Sequence, residues 1–586
     1  MNHQEIERKT KENNEIKPIN DDIVLFPHQQ KQVKKILELY LKQRSLSVLD
    51  TSEQGFGKTF TGSYLAQMFQ KLYGWNVVII APNNQCLDQE NGWRDLARKH
   101  GINLIWSTTY MSLIGRKNKC SHGYLVPNED DKKDYEPTEK LLSLFDKGVF
   151  LILDEAHKAT RNSRTHWACA ALVKACYEHG KRSRVYLISN TPGNKDEHIP
   201  QILRLMGFIR NKVLAKYIPG LASYDWEDRG LGELISSTKR FIGDEEKVDE
   251  CWVDFRRGFA KKVCENIMEV CIRPKIIVAM DPPTIKYTLT SKNIYLETDE
   301  SSIEIINKGI SMLTSSVRWN GEDVGNGNEW NMGGIVSGLK MIELGKLHSI
   351  ARYVRGRMVN EPNRKFVLSV GSKNTEHQYI LKKMLGVPAI HPEVFRSLFQ
   401  CWRRNPDWRL VNRDMFRLII SFLPREATKY PTVMNGKTPS NERVDIMKLF
   451  QSDSSTCTIL IISPGVGAES ISLHDVHGKR PRTTMIVPDY MFSRVVQSPG
   501  RVYRIGVKSD TEAFIVYSKQ GNIETRILNS MIKKTHVSRK LLAEGQEKMF
   551  PGEYPHWIEG KKDEELEEVL NKIREACLNS KVVIEE

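Results

Sequence analysis

Seven short runs of apolar, largely β-branched residues recur along the chain, each closed by a small or polar residue: NVVIIAP (76–82), GVFLILDE (148–155), RVYLISNT (184–191), RKFVLSV (364–370), CTILIISP (457–464), TTMIVPD (483–489) and EAFIVYS (512–518). Inside each run the apolar positions are continuous instead of alternating with polar ones. That is the pattern of a strand buried on both faces, as in a parallel sheet covered by helices, and helix-like segments lie between the runs. The runs fall into two clusters about 170 residues apart, so the pattern predicts two α/β lobes. Between them, residues 205–275 read as mainly helical and basic, as in CWVDFRRGFAKKVCENIMEVCIRPK.

The expected organisation is a tail over 1–22, a first lobe over 23–205, a mainly helical basic insertion and linker over 206–350, a second lobe over 351–545 and an extension over 546–586. A stretch rich in arginine and aromatics, 386–430, interrupts the second lobe. It reads as a small helical subdomain, with nucleic-acid contact through stacking as the alternative. Near the end, Leu566, Val569, Leu570, Ile573 and Cys577 form one helical stripe, the signature of a helix docked on a larger body.

Length changes this picture little: 586 residues exceed one hydrophobic core, so two or three domains are expected. No apolar run approaches the roughly 20 residues of a membrane span, and the polar start does not read as a secretory signal. The ten cysteines are scattered without a framework, as for reduced thiols in a cytosol or nucleus and unlike a secreted disulfide scaffold. Cys251, Cys264 and Cys271 lack the paired spacing of a metal site, and Cys120 with His122 reads as a loop accident. The net charge of +15 points to a polyanionic partner.

Chemistry enters with SEQGFGKT (52–59), which follows a short strand signal and precedes a helical one. Gln54, Gly55 and Gly57 lie in a loop whose backbone amides can face phosphate oxygens at a helix N-terminus. Lys58 would reach the outer phosphates of a nucleotide and Thr59 would offer its hydroxyl to magnesium. In LILDEAHK (151–158), two adjacent carboxylates end a strand. Asp154 can hold Mg2+ and Glu155 can orient and deprotonate an attacking water.

With these two motifs on the page, the chain from about 24 to 540 resembles superfamily-two helicases, among them the Swi/Snf-type translocases. LFPHQQKQV (25–33) looks like the glutamine motif, and the resemblance makes Gln29 the reader of an adenine edge. VVIIAPNNQCLDQENGW (77–93) and STTYMSL (107–113) resemble motifs Ia and Ib, and SNTP (189–192) resembles motif III. In the second lobe, VMNGKTPSNERVDIMKLFQ (433–451), ILIISPGVGAESISL (459–473) and DYMFSRVVQSPGRVYRIG (489–506) follow the later motifs in family order. Ser52, Ser470, Ser472 and Val507 depart from the Swi/Snf pattern, which has an acid, Gly, Asn and Gln there. The basic loop HDVHGKRPRTT (474–484) is similar to helicase-like proteins of large DNA viruses and, more loosely, to poxvirus nucleoside triphosphate phosphohydrolases.

The resemblance implies two tandem RecA-like P-loop lobes with mainly helical insertions, using ATP and Mg2+. Pro499-Gly500 is expected to open a helix that carries Arg501 and Arg504 on one face, two guanidinium groups able to meet a γ-phosphate across the cleft. Gln497 would place the water or the phosphate, and His157, Ser189 and Thr191 would couple the lobes. Pro82, Thr109, Gly436, Ser463 and Gly467 would hold nucleic-acid phosphates, DNA in preference to RNA. The expected activity is a nucleic-acid-dependent ATPase that tracks along duplex DNA. An RNA helicase, a transcription-associated ATPase partnered with a polymerase or replication complex, and a non-catalytic scaffold are the alternatives.

Overall fold

The computed structural model describes residues 23–115, 120, 122–128, 134–180, 182–210, 215–218, 223–226, 228–253, 260–316, 332–370, 432–453, 457–464, 471–488, 492–518, 534 and 537–544. The tail 1–22, the stretch 386–430 and the stripe 566–577 lie outside them.

The first lobe is a six-stranded parallel sheet made of β1 (Ser47–Asp50), β2 (Asn76–Ala81), β3 (Leu104–Thr109), β4 (Val149–Asp154), β5 (Arg184–Ile188) and β6 (Ile277–Val278). Its order is β6-β1-β5-β4-β2-β3. The apolar runs are continuous because both faces are covered: all four residues of β1 are buried, and so are the first five of β4. Among the covering helices are α1 (Pro27–Leu37), which opens on a proline whose missing N–H costs nothing at that position, α2 (Lys58–Tyr73) and α3 (Arg164–Glu178).

The stretch expected as an insertion and linker, 206–350, contributes to both lobes. An antiparallel hairpin (Ala215–Ile218 with Ser223–Trp226) precedes α4 (Asp228–Ile242), α5 (Glu245–Val253) and α6 (Ala260–Asn266). Leu234, Val248, Cys251 and Val263 from these helices join the same hydrophobic core as the first sheet. The chain then adds β6 to that sheet, with Leu49 opposite Ile277, before crossing to the second lobe.

That lobe is again six parallel strands: β7 (Leu289–Leu296), β8 (Lys365–Ser369), β9 (Thr432–Met434), β10 (Ile459–Ile462), β11 (Arg482–Ile486) and β12 (Thr511–Ser518), in the order β7-β12-β11-β8-β10-β9. Its two faces are visible residue by residue. Phe366, Leu368, Ile459 and Ile461 pack with Leu347, Ile350 and Val354 of a long helix, α8 (Met332–Asn360), which pairs with α7 (Glu300–Ser316). Val367, Leu460 and Ile462 point the other way, onto Ile446 and Phe450 of α9 (Ser440–Gln451). Lys365 is fully buried at the end of that helix, where its Nζ donates to the carbonyls of Phe450 and Ser452, each at 2.8 Å. A cation suits a helix C-terminus, although burial pulls the Lys365 amine down to about 8.

Past the last strand, residues 537–544 return to the first lobe. Leu541 is fully buried in that lobe's core. The Arg273 Nε donates to Leu542 O at 2.7 Å, Ala543 N donates to Thr51 Oγ1 at 3.1 Å, Lys540 pairs with Glu265 at 3.1 Å, and Ser538 Oγ donates to Gly193 O. The segment therefore ties the far end of the second lobe to the base of the 52–59 loop. Truncating Leu541 to alanine leaves a cavity that this packing cannot close, and a loss of about 2–5 kcal/mol of stability is expected. The urea midpoint of unfolding measures it. Among the described residues, no helix is long and apolar enough to cross a membrane.

Candidate functional site

The 52–59 loop leaves the C-terminal end of β1 and enters α2. Gly55 and Gly57 both have φ +85°, a left-handed conformation that other residues adopt only with strain, and Gly57 is the residue from which α2 starts. A Cβ on Gly57 would meet Gln29 Nε2 at 2.1 Å, and one on Gly55 would meet Arg504 Cβ at 2.6 Å. Neither position has room for a side chain. Lys58 curls over the loop mouth, its Nζ donating to Ser52 O at 2.6 Å and Glu53 O at 2.9 Å. Burial pulls the Lys58 amine down, and the carboxylates of Glu155, Asp50 and Asp154 push back. Phosphate oxygens could take over those two carbonyl contacts, and Thr59 stands one residue on, in the first turn of α2.

Asp154 and Glu155 end β4. Burial, and then the neighbouring Glu155 charge, raise Asp154, against a hydrogen bond of 2.8 Å from Trp93 Nε1 to its Oδ2. Burial also pushes Glu155 up, but His157 and the charges of Lys58 and Arg501 outweigh it, so Glu155 is held below its ordinary range. The two shifts run in opposite directions, as expected for adjacent half-buried carboxylates. Glu155 has φ +53°, a strained conformation for a residue with a side chain and one that costs about 1 kcal/mol or more. His157 Nδ1 lies 3.1 Å from Glu155 Oε2 and 3.1 Å from Ser189 Oγ. Ser189 Oγ in turn accepts from Thr191 N at 3.3 Å.

From the second lobe, Gln497 reaches this chain of contacts, its Nε2 donating to Asn190 Oδ1 at 3.2 Å and Thr191 Oγ1 at 3.4 Å. The expectation that one helix presents Arg501 and Arg504 is corrected. The helix is a single turn, Pro499–Val502, and Tyr503 is already extended. The Arg501 carbonyl accepts from Leu473 N at 2.8 Å, a bond between neighbouring segments that replaces the next helical one. The arginines consequently meet the loop by different routes. With the Gln54 amide assigned so that its oxygen and nitrogen both find partners, Arg501 Nη2 donates to that oxygen at 2.9 Å. Arg504 rests its Cβ on Gly55 while Nη1 donates to Ser472 Oγ; burial lowers its pKa.

Gln29 is buried, accepting from Phe26 N at 2.9 Å and donating to Phe56 O at 3.0 Å. Its amide thus bonds to backbone groups on both sides, one of them in the loop, as a buried amide must find hydrogen-bond partners. Beside it opens a cleft of about 510 Å³, bounded by Phe26, His28, the 281–286 segment and Ile505–Val507. Its walls come from the first lobe, the connection between lobes and the second lobe.

The residues expected at nucleic-acid phosphates sit at one rim of each sheet. Pro82 follows β2, Thr109 ends β3, Gly436 follows β9 and Ser463 follows β10, all at C-terminal strand ends. Thr109 Oγ1 already accepts from Ser112 N at 3.2 Å, capping a short helix. Gly467 lies outside the described residues.

Two participants were missed in the sequence. Asp50 is wholly buried, accepting from Ser52 N at 2.9 Å, from Ser52 Oγ and from Tyr186 OH. It supplies, two residues earlier, a carboxylate near where the Swi/Snf pattern has one at position 52. The other is Tyr110, whose OH holds the Asp154 carbonyl at 2.8 Å. A charged residue ending an apolar strand signal was the one available hint of Asp50.

Two tandem six-stranded parallel lobes, with a glycine-rich loop on one facing an arginine pair on the other, define a RecA-like two-lobe core. Residues 22–179 match the family model for the type III restriction enzyme, res subunit. A putative ATP-dependent RNA helicase of Acanthamoeba polyphaga mimivirus is 32% identical over 99 residues, which is 17% of this chain and 18% of that protein. The match thus spans less than a fifth of the curated relative's length. Among solved structures, the DUF1998 helicase MrfA bound to DNA aligns over 87% of this chain and 51% of its own, at 10% identity and a TM-score of 0.41. The SWI2/SNF2 ATPase core of Sulfolobus solfataricus in complex with dsDNA aligns over 94% and 98%, at 14% identity and a TM-score of 0.29.

Proposed function

We propose that this protein is a nucleic-acid-dependent ATPase that uses closure of its two lobes to move along DNA, duplex in preference to single strands. The observation that carries the reading is the meeting of Gln54 and Gly55 with Arg501 and Arg504 across the lobes, next to the Asp154–Glu155 pair. The donor set fits a magnesium nucleotide: a lysine over a loop built from glycines, a hydroxyl at the helix start and a carboxylate at a neighbouring strand end. Lys58, Thr59 and Asp154 would hold ATP and Mg2+, with the adenine in the cleft beside Gln29 and Phe26. The metal ion supplies charge neutralisation on the phosphates. Glu155 orients and takes a proton from the attacking water, while Arg501 and Arg504 stabilise charge that develops as the phosphoryl group transfers. His157, Ser189, Thr191 and Gln497 carry the state of this site to the second lobe.

Pro82, Thr109, Gly436, Ser463 and Gly467 would contact phosphates without reading bases, so binding should be sequence-tolerant and fall steeply with salt. An RNA-directed activity is the second reading, supported by the description of the mimivirus relative. Steady-state ATP hydrolysis at fixed salt, with no polymer, duplex DNA, single-stranded DNA or RNA, separates the two. Stimulation by duplex DNA supports the first reading, stimulation by RNA alone moves the assignment to the second, and no hydrolysis under any condition removes both.

A further inference from the structure

The phosphate loop contributes a side chain that phosphate binding does not call for. Gln54 stands between the lobes, and the amide orientation that satisfies both of its ends has the oxygen accepting from Arg501 Nη2 at 2.9 Å and the nitrogen donating to the Gln497 carbonyl at 2.6 Å. The approach is close because the facing residue is Gly500, where a Cβ would lie 2.7 Å from Gln54 Cβ. Gln54 is followed directly by Gly55, whose Cα carries the stem of Arg504. The backbone that would wrap the phosphates is thus the same backbone that grips the arginine segment.

We propose that Gln54 is a positioning residue for Arg501: it locks the guanidinium plane to the phosphate loop and so couples loop geometry to the placement of the arginine. This rests on the reading of the site as an ATPase. A guanidinium is useful at a transition state only in a fixed orientation, since its donors form a planar fork. Arg501 lies on a helix of a single turn, Pro499–Val502. The Gln54 oxygen fixes one end of the fork, and the bond to the Gln497 carbonyl fixes the backbone just ahead of the turn. Because Gln54 and Lys58 share one loop, a shift that seats the phosphates also carries Arg501 with it.

The test is the set of Gln54→Met, Arg501→Ala and the double variant in the full-length chain. Methionine keeps the length and bulk of glutamine and removes both hydrogen bonds. Gln54→Met should lower kcat about tenfold, the rate equivalent of one charge-assisted hydrogen bond, with KM for ATP unchanged. In the Arg501→Ala background the same substitution should have no further effect, because residues that act as a unit are not additive. Hydrogen exchange of the 498–504 backbone amides should quicken in Gln54→Met whether or not ATP is turned over. Equal losses in both backgrounds, a raised KM with unchanged kcat, or unaltered exchange would each overturn the proposal. A wild-type protein that hydrolyses no ATP would remove the ATPase reading alone, and the exchange measurement would then decide the role of Gln54 by itself.

Discussion

Glu155→Gln is expected to lower ATP turnover by about 10²–10⁴-fold, the usual contribution of a positioned general base, with nucleotide affinity little changed. The substitution preserves the shape of a half-buried group. Glu155 sits at φ +53° between the end of β4 and the turn that carries His157, 3.1 Å from the imidazole. An amide keeps hydrogen-bonding capacity toward His157 but has no charge to accept a proton from water. Burial works against a charged Glu155, and His157, Lys58 and Arg501 overcome it, holding the carboxyl below its ordinary range. That investment is hard to explain as packing. Single-turnover hydrolysis, alongside equilibrium binding of a fluorescent ATP analogue, checks the prediction. A variant with wild-type turnover would remove Glu155 from the reaction, whereas loss of binding in step with turnover would assign it to holding the nucleotide.

The strands of both lobes were legible where they run through the middle of a sheet, because burial on two faces demands uninterrupted apolar residues. β6 has two residues, too few for any periodicity, and β7 lies at an edge, where Thr290 and Lys292 alternate with half-buried positions. Amphipathic helices in 206–276 show that they have a buried face but not which body buries it, so their membership of the first lobe could not be read. The loop glycines with Lys58 and the pair Asp154–Glu155 were legible for a simple reason: each set is contiguous. Contacts that join distant positions leave no local pattern. Gln54 with Arg501, Asp50 with Tyr186, and Leu541 in the first core belong to this kind. The one-turn helix ending at Val502 was hidden as well, since the bond from Leu473 N to the Arg501 carbonyl at its end comes from a segment distant in sequence.

The different routes by which the two arginines meet the loop lead to the second large effect. Arg501→Ala is expected to reduce kcat by about 10³-fold or more, in the range lost when an arginine finger is removed from a nucleotide hydrolase. Arg501→Lys should recover little of it, because an ammonium cannot reproduce a planar fork that bonds to Gln54 Oε1 and still has donors for the phosphoryl oxygens. Arg504 differs in its support: its stem lies against Gly55, and its Nη1 is held by Ser472. Removing that side chain takes away packing at the lobe contact as well as charge, so Arg504→Ala should weaken closure and raise KM for ATP in addition to lowering kcat. Polymer binding measured by fluorescence anisotropy without nucleotide should be unaltered in both variants, since Gly436 and Ser463 lie at the β9–β10 rim while Arg501 lies in the one-turn helix beside the loop and Arg504 just past it. A variant that lost nucleic-acid affinity together with hydrolysis would place these arginines in the polymer groove and leave the phosphate loop without its partner from the second lobe.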